Sequence, residues 1–530
     1  MLGIHAPLFG SFAAVTGGGM QFRKQRSKRT IDAKQQNSFT KYKVDDSLEA
    51  NVKMLKQIFN DDDTLVVRHF ENRQQRPVKC CIAFIDGMVN SEIINENVIQ
   101  AIMQNTILKN HSNDINDLQN NVIITGNIEK TTNVGELINA IVRGDTAFFL
   151  NGSSEGLIIS TKGWHSRAIS EPQTEKVIRG PREGFNESIL MNLTMIRRKL
   201  TTPNLKIKFM TMGVQTHTKI GVCYIEGIVN RKILEEVYKR LNRINIDGVL
   251  DSGYIQELIK DSPFSLMKTI GSTERPDVVA GKLLEGRIAI AVDGTPVVLT
   301  VPHLFIENFQ ANEDYYTNFY YSSIGRLVRI ISFVITVSVP AIYTALVTFH
   351  QETIPRPLLL SISSARQGIP FPTIVEIIML LFIFEMLLVA GMRMPSNIGQ
   401  ALSIVGALVL GQAAVEARIV SAPIIIVVSV TAISGLILPK IGGAVFILRG
   451  ILLLLATIVG LYGYLFGIMG LLLHLCELRS FGVPYLLCLT EYNFNDLKDT
   501  AIRAPWWYMN HRPKLLTSNS VRQTGGGNNQ

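Results

Sequence analysis

Between residues 327 and 475 the chain carries apolar runs of roughly 18 residues or more, the length that crosses about 30 Å of hydrocarbon. A purely water-soluble fold would need several helices that are apolar on every face, so the chain reads as an integral membrane protein. Residues 21 to 325, by contrast, carry charges every few positions. The overall 47% apolar and 18% charged content averages these two halves and hides the division. The expected fold is an α/β soluble N-terminal region of two similar subdomains followed by an all-α multi-pass membrane domain. The boundaries read as a basic disordered arm over 1–44, a first subdomain over 45–165 and a charged linker and helix over 166–199. A second subdomain follows over 200–320, a transmembrane helical domain over 326–490, and a cytoplasmic tail over 491–530, disordered at its end.

The formal charge of +9 is unevenly placed, with one block at Arg23-Lys24-Gln25-Arg26-Ser27-Lys28-Arg29. No finger, helix-turn-helix or aromatic-interleaved RNA-binding pattern accompanies it. A flexible arm facing anionic lipid is therefore favoured over nucleic-acid binding. The five cysteines lack CxxC or Cys/His ligand spacing, so neither a disulfide framework nor a metal site is expected. Residues 1–19 lack a basic n-region and make a poor signal peptide; Met20, directly before the basic block, is an alternative start to Met1.

The soluble region reads as built twice. Residues 78–103 and 218–243 share a β-rich run, an acidic residue with Gly, a Val-Asn pair and an amphipathic helix, centred on FIDGMVN from Phe84 and YIEGIVN from Tyr224. A second pair, Gly144 to Gly152 and Gly286 to Gly294, each runs a strand into an Asn-Gly or Asp-Gly turn and on to another strand. Two matches in the same order at nearly equal offset favour duplication over chance recurrence of a common unit. Between the halves, Glu171 to Glu187 is dense in charge, Gly and Pro. Arg179, Arg182 and Glu183 there, with Glu274, Arg275 and Asp277 farther on, read as an interdomain or intersubunit ion-pair junction rather than an active site. No GxSxG, HExxH, Walker A or Cys/His arrangement occurs, so no catalytic residue, cofactor or metal is expected.

In the membrane half, the first span, Leu327 to Thr348, contains Pro340 and starts behind Arg326 and Arg329. The second, Ile374 to Met394, has Glu376 near its start, Glu385 well inside and Arg393 at its end. A carboxyl at mid-depth must be protonated, paired or facing a wet interior. A helix-bridging hydrogen bond explains Glu385 as well as an ion pathway does. Residues 401–438 read as a helical hairpin or re-entrant pair, with Gln412 and Glu416 as further polar candidates and Ser403, Ala407 and Gly411 forming a small-residue stripe. The last run, Ala444 to Cys476, would be about 48 Å long as one helix. Gly460, Gly463, Gly467 and Gly470 would share one face of it, extended through Ala456, Leu453 and Arg449 one way and His474 and Glu477 the other. Close helix packing and a pore-lining face are both open readings. Lys and Arg flank both ends of the helical region, which makes both ends cytoplasmic and the number of crossings even; a second crossing inside 444–489 would supply it.

The segments Gly368-Ile-Pro-Phe-Pro-Thr-Ile-Val-Glu376, Phe384-Glu385, Ala390-Gly391-Met-Arg393-Met-Pro395 and Gly411-Gln-Ala-Ala-Val-Glu416-Ala resemble the A-subunit family of bacterial spore germinant receptors, the GerA type. So do Arg179-Gly-Pro-Arg-Glu-Gly-Phe185, Thr273-Glu-Arg-Pro-Asp277, Asp293-Gly-Thr-Pro296 and Asp496-Leu-Lys-Asp-Thr500. The resemblance spans about 45–515. One departure is that Leu388 and Val389 stand where the family usually has an Arg-Glu pair, while Glu385 and Arg393 match. The resemblance implies a role in nutrient-triggered germination, in the inner membrane of the bacterial spore. The implied partners are a transporter-like B subunit, a C lipoprotein and membrane lipid, and further copies of the chain would themselves assemble into an ion-conducting channel. A non-conducting scaffold, a secondary transporter and the related stage V sporulation membrane protein remain alternatives.

Overall fold

The computed structural model describes residues 42–72, 78–104, 115–163, 171–172, 175, 177, 179–393, 411–486, 499–500, 502–509, 511–513, 515–519 and 521–522. Its soluble part contains two five-stranded antiparallel sheets. The first joins β1 (Leu65–Glu71), β2 (Lys79–Ile85), β3 (Ile128–Thr131), β4 (Thr146–Leu150) and β5 (Gly156–Ile159); the second joins β6 (Leu205–Met212), β7 (Thr218–Ile225), β8 (Gly271–Thr273), β9 (Ile288–Val292) and β10 (Val298–Val301). Their strand orders are the same, β1-β2-β4-β5-β3 and β6-β7-β9-β10-β8.

Strands β2, β4 and β9 are near-continuous apolar runs because both faces of each sheet are covered, and alternate side chains on a strand point to opposite faces. Cys81, Ala83, Ile85 and Phe149 meet helices α1 (Leu48–Ile58) and α2 (Val134–Val142) on one side. Cys80, Ile82, Phe148 and Leu150 meet the helical segments Ile93–Gln100, Ala101–Gln104 and Leu118–Val122 on the other. The second sheet repeats this with α3 (Ile189–Lys199) and α5 (Pro276–Leu284) on one face and α4 (Arg231–Leu241) on the other.

The duplication extends to single hydrogen bonds. Asn51 Nδ2 donates to Asp45 O and its Oδ1 accepts from Asp45 N, and Asn192 does the same with Asn186. Leu48 N donates to the Asn151 side chain, as Ile189 N does to Asp293. Gly87 and Gly227, at the turns after β2 and β7, both hold φ near +80° (81° and 82°), a region open to Gly without a Cβ clash. These pairs match α3, the helix read at the end of the 166–199 segment, to α1 of the first repeat.

The repeats are joined by bonds that sequence patterning does not expose. The buried Arg197 on α3 donates through Nη2 to Asp62 Oδ2 at 2.7 Å, and Lys206 Nζ donates to Ile58 O at 2.9 Å. Asp63 accepts from Phe209 N at 2.8 Å, and its own N–H donates to Ile207 O at 2.9 Å.

The helical half comprises α6 (Phe319–Thr348), α7 (Arg356–Ala365), α8 (Thr373–Arg393), α9 (Ala422–Leu436), α10 (Gly442–Val459) and α11 (Leu461–Glu477). Three stretches, Phe319–Thr348, Thr373–Gly391 and Pro439–Val459, are long and apolar enough to cross a membrane; Ala422–Leu436 and Leu461–Glu477 are shorter apolar helices. Asn318 caps α6 by accepting from Tyr320 N at 3.1 Å, and the helix continues through Pro340.

The run from 444 to 476 is not one helix. It breaks at Gly460, whose φ of +70° closes α10 and opens α11, and α11 folds back along α10. Consequently the glycine face does not continue through Leu453 to Arg449 on one helix, as the periodicity implied. A Cβ on Gly463 would fall inside the Leu455 carbonyl, and one on Gly467 would strike Leu452, whereas one on Gly470 would meet nothing within 4 Å. Gly463→Ala is therefore expected to destabilise by about 1–3 kcal/mol through overpacking. Gly470→Ala should be near neutral, and thermal melting of the detergent-solubilised protein separates them.

After α11 the chain returns to the second subdomain. Strands β11 (Arg479–Ser480) and β12 (Val483–Pro484) place Phe481 and Val483 in its core, and Leu516 is fully buried there. Thr517 bridges Val229 as Lys162 bridges Val89 in the first repeat, and Ser518 N donates to Ile228 O at 2.9 Å. Residues 515–519 of the segment read as a tail disordered at its end thus pack on the second repeat; residues 523–530 lie outside the described residues, as do residues 1–41 of the basic arm with both candidate starts, while Val44 is buried in the first repeat.

Candidate functional site

Three polar clusters tie the second subdomain to the start of α6. In the first, Asp277 of α5 accepts from Arg275 Nη2 (2.8 Å), Asn312 Nδ2 (2.5 Å) and Tyr316 OH (2.8 Å), while Arg275 Nη2 also donates to Pro181 O at 2.9 Å. Pro276 opens α5 at a position where its missing N–H costs nothing, which sets this Arg-Pro-Asp corner.

The second centres on Glu307, in the 3-10 turn Phe305–Phe309. Its carboxylate pairs with Arg287 and Lys282 and lies 3.1 Å from His303 Nδ1. Burial by itself would raise the Glu307 carboxyl, but Arg287, Lys282 and His303 outweigh it and hold it well below the usual carboxylate range. Burial also lowers His303, which favours its neutral form despite the adjacent carboxylate. Glu285 extends the cluster, accepting from Arg287 at 2.6 Å and from Arg522 of the C-terminal segment at 3.1 Å.

The third fixes α6 itself. Arg326, fully buried, reaches Asp314 through Nε at 3.1 Å and Asp499 through Nη1 at 2.8 Å, and Arg329 forms two further 2.8 Å bonds to Asp314. Tyr315 OH donates to Asp499 at 2.7 Å. Arg326 and Arg329 at the start of α6 are thus locally neutralised, and Arg326 holds the segment after α11 against this end of the helix.

A cavity of about 990 Å³ opens among these clusters, with Lys268, Arg275, Asp277, His303, Glu307 and Tyr316 in its wall. Burial, with nearby Lys440, lowers the Lys268 amine to about 8. Both acidic and basic side chains line the cavity.

Of the residues expected at an interdomain or intersubunit ion-pair junction, Arg275 and Asp277 meet in the first cluster. Glu274 accepts from Phe185 N at 2.8 Å through its carbonyl. Glu183 pairs with Arg198 at 3.5 Å and Lys199 at 3.3 Å, Arg182 pairs with Glu171 at 3.2 Å, and Arg179 is exposed. The Glu183 contacts bind the connecting segment to α3, and that of Arg182 lies within the segment. Ion pairs between the two repeats include Arg197–Asp62 and Lys208–Asp61.

Within the helices, Glu376 is buried and accepts from Ser421 N at 2.8 Å, capping the start of α9, with Arg366 Nη2 at 3.8 Å. Glu385, midway along α8, lies 3.7 Å from Arg449 of α10. Gln412 and Glu416 are exposed, as is the ring of Phe382 on α8. Arg393 ends α8, and Gly411 lies in a helical turn preceding α9 with nothing near its Cβ position among the described residues. Ser403 and Ala407 lie outside the described residues. Among the described residues no three of His, Cys, Asp and Glu converge as a metal site.

The family described as Bacillus/Clostridium GerA spore germination protein matches residues 53–515. This chain belongs to the GerA family. Among GerA relatives, spore germination protein KA of Bacillus subtilis is 40% identical over 91% of this chain and 89% of its own length. Spore germination protein B1 of the same organism is 37% identical over 89% of this chain and 97% of its own, and GerLA of Bacillus cereus is 36% identical over 83% and 89%. The crystal structure of the N-terminal domain of the A subunit of the Bacillus megaterium spore germinant receptor GerK3 is 35% identical, covers 50% of this chain and 98% of its own, and superposes with a TM-score of 0.41.

Proposed function

We propose that this chain is the A-type membrane subunit of a spore germinant receptor and that copies of it assemble into a germinant-gated ion channel in the spore inner membrane. The observation that carries the channel reading is Glu385: it sits midway along α8, and about a third of its side chain (34%) is open. A bilayer does not tolerate a carboxylate facing lipid at mid-depth, so the open side faces water or a neighbouring copy. The transporter-like B subunit and the C lipoprotein are the partners of this reading, and the three polar clusters are the route by which the soluble repeats act on α6. The start of α6 and the segment after α11 are bound to the same subdomain, which fits an even number of crossings.

Reconstitution tests it. The purified full-length chain with its B and C subunits in liposomes should form an oligomer that passes monovalent cations when a mixture of amino acids, sugars and nucleosides is added. Stable oligomers that never conduct under those conditions overturn the channel and leave a non-conducting scaffold.

A further inference from the structure

Among the described residues of the helical half, Arg449 is the buried charge that the fold leaves most weakly held. Its Nη2 lies 3.7 Å from Glu385 Oε2, beyond hydrogen-bond range, and its guanidinium lies 5.5 Å from the Phe446 ring. The same chain shows what a fixed arginine looks like: Arg326 makes hydrogen bonds to Asp314, Asp499 and Thr500. Both members of the loose pair sit near the middle of their helices, Glu385 in α8 and Arg449 in α10. They differ in access, since the Arg449 side chain is 7% exposed and that of Glu385 is 34% exposed. The carboxylate therefore has an open side, and the arginine approaches it from the packed side.

We infer that Glu385 is a cation-binding position and that Arg449 is a tethered counterion occupying it at rest, so that this pair sets both closure and cation preference. The inference rests on the channel reading. A guanidinium on a stem anchored in α10 is a resident cation that a mobile monovalent ion must displace. A pair at 3.7 Å lacks the two-pronged hydrogen bonding that makes arginine-carboxylate contacts hard to break. A small shift of α8 against α10 is enough to free the carboxylate, and such a shift is what a pull on α6 would deliver through the helices packed on it.

The test uses the full-length chain with its B and C subunits in liposomes under a sodium chloride gradient, reading cation leak and reversal potential. Without nutrient, Arg449→Gln should raise the cation leak by about tenfold, the factor that corresponds to about 1.4 kcal/mol. Arg449→Lys should keep the wild-type leak. Glu385→Gln and the double variant Glu385→Gln/Arg449→Gln should lose preference for sodium over chloride. If Arg449→Gln does not assemble, the double variant, which removes both charges together, decides by its reversal potential. Wild type that conducts with added amino acids, sugars and nucleosides, beside variants with unchanged leak and reversal potential, overturns the inference and leaves the channel standing. Wild type that passes no ion at all overturns the channel and the inference with it.

Discussion

Arg197→Ala should lower the stability of the full-length protein by about 3–5 kcal/mol, because it strands a buried carboxylate. The Asp62 side chain is 0% exposed and that of Arg197 is 1%, and their bond is 2.7 Å long. Thr64 contributes two further bonds to the other Asp62 oxygen, from N at 3.1 Å and Oγ1 at 2.7 Å, so the carboxylate has no room to turn to water. Asp62→Ala should cost a similar amount by stranding the guanidinium. The double variant Arg197→Met/Asp62→Leu should cost much less than the two single changes added, since an apolar pair of similar volume carries no desolvation penalty. Melting temperatures of the four proteins in detergent check this, and additive losses would show that the two residues act independently.

Glu307→Gln should be comparably severe, about 3–5 kcal/mol, because it leaves the buried Arg287 with Glu285 as its remaining carboxylate and sets the half-buried Lys282 against a neutral amide. The loss should spread beyond the second subdomain. Glu307 lies on the path into α6, so protease cleavage around 303–316 should quicken in the variant. The same group predicts a pH dependence. Its folded pKa lies well below that of an unfolded glutamate, about 4.3. The stabilisation is therefore fully present above about pH 4.3 and is lost as the pH falls through the lower folded value. The wild type should lose this stability in acid, while Glu307→Gln, having none to lose, should show a flatter acid limb.

Much of the architecture is legible in residue order. FIDGMVN and YIEGIVN mark the same turn and helix start in each repeat, since Gly at positive φ and Asn at a helix cap are local demands that any copy must meet. The apolar runs mark the helical half for a similar reason. Other elements needed contacts far apart in sequence. Helix α3 was legible as a helix ending in Arg197, Arg198 and Lys199, but its place in the second repeat was not, because the contact that marks it joins Arg197 to a residue 135 positions away. The break at Gly460 was hidden because a glycine periodicity of three and four fits one long helix as well as two short ones; the φ of Gly460 and the close approach of Gly463 to Leu455 distinguish them.

The candidate site divides in the same way. Glu376 and Glu385 stand out in sequence because a carboxyl in an apolar run is costly wherever it points. Their partners do not, since Ser421 and Arg449 are ordinary residues until the fold brings them alongside. Sequence by itself determined that this protein has a duplicated α/β region and a hydrophobic half carrying acids, because periodicity, turn chemistry and the length of apolar runs are local properties. Tertiary structure alone decided which charges are paired, that the C-terminal segment closes the second repeat, and that Glu385 meets an arginine. Those outcomes depend on distances between residues far apart in the chain, and periodicity carries no information about them.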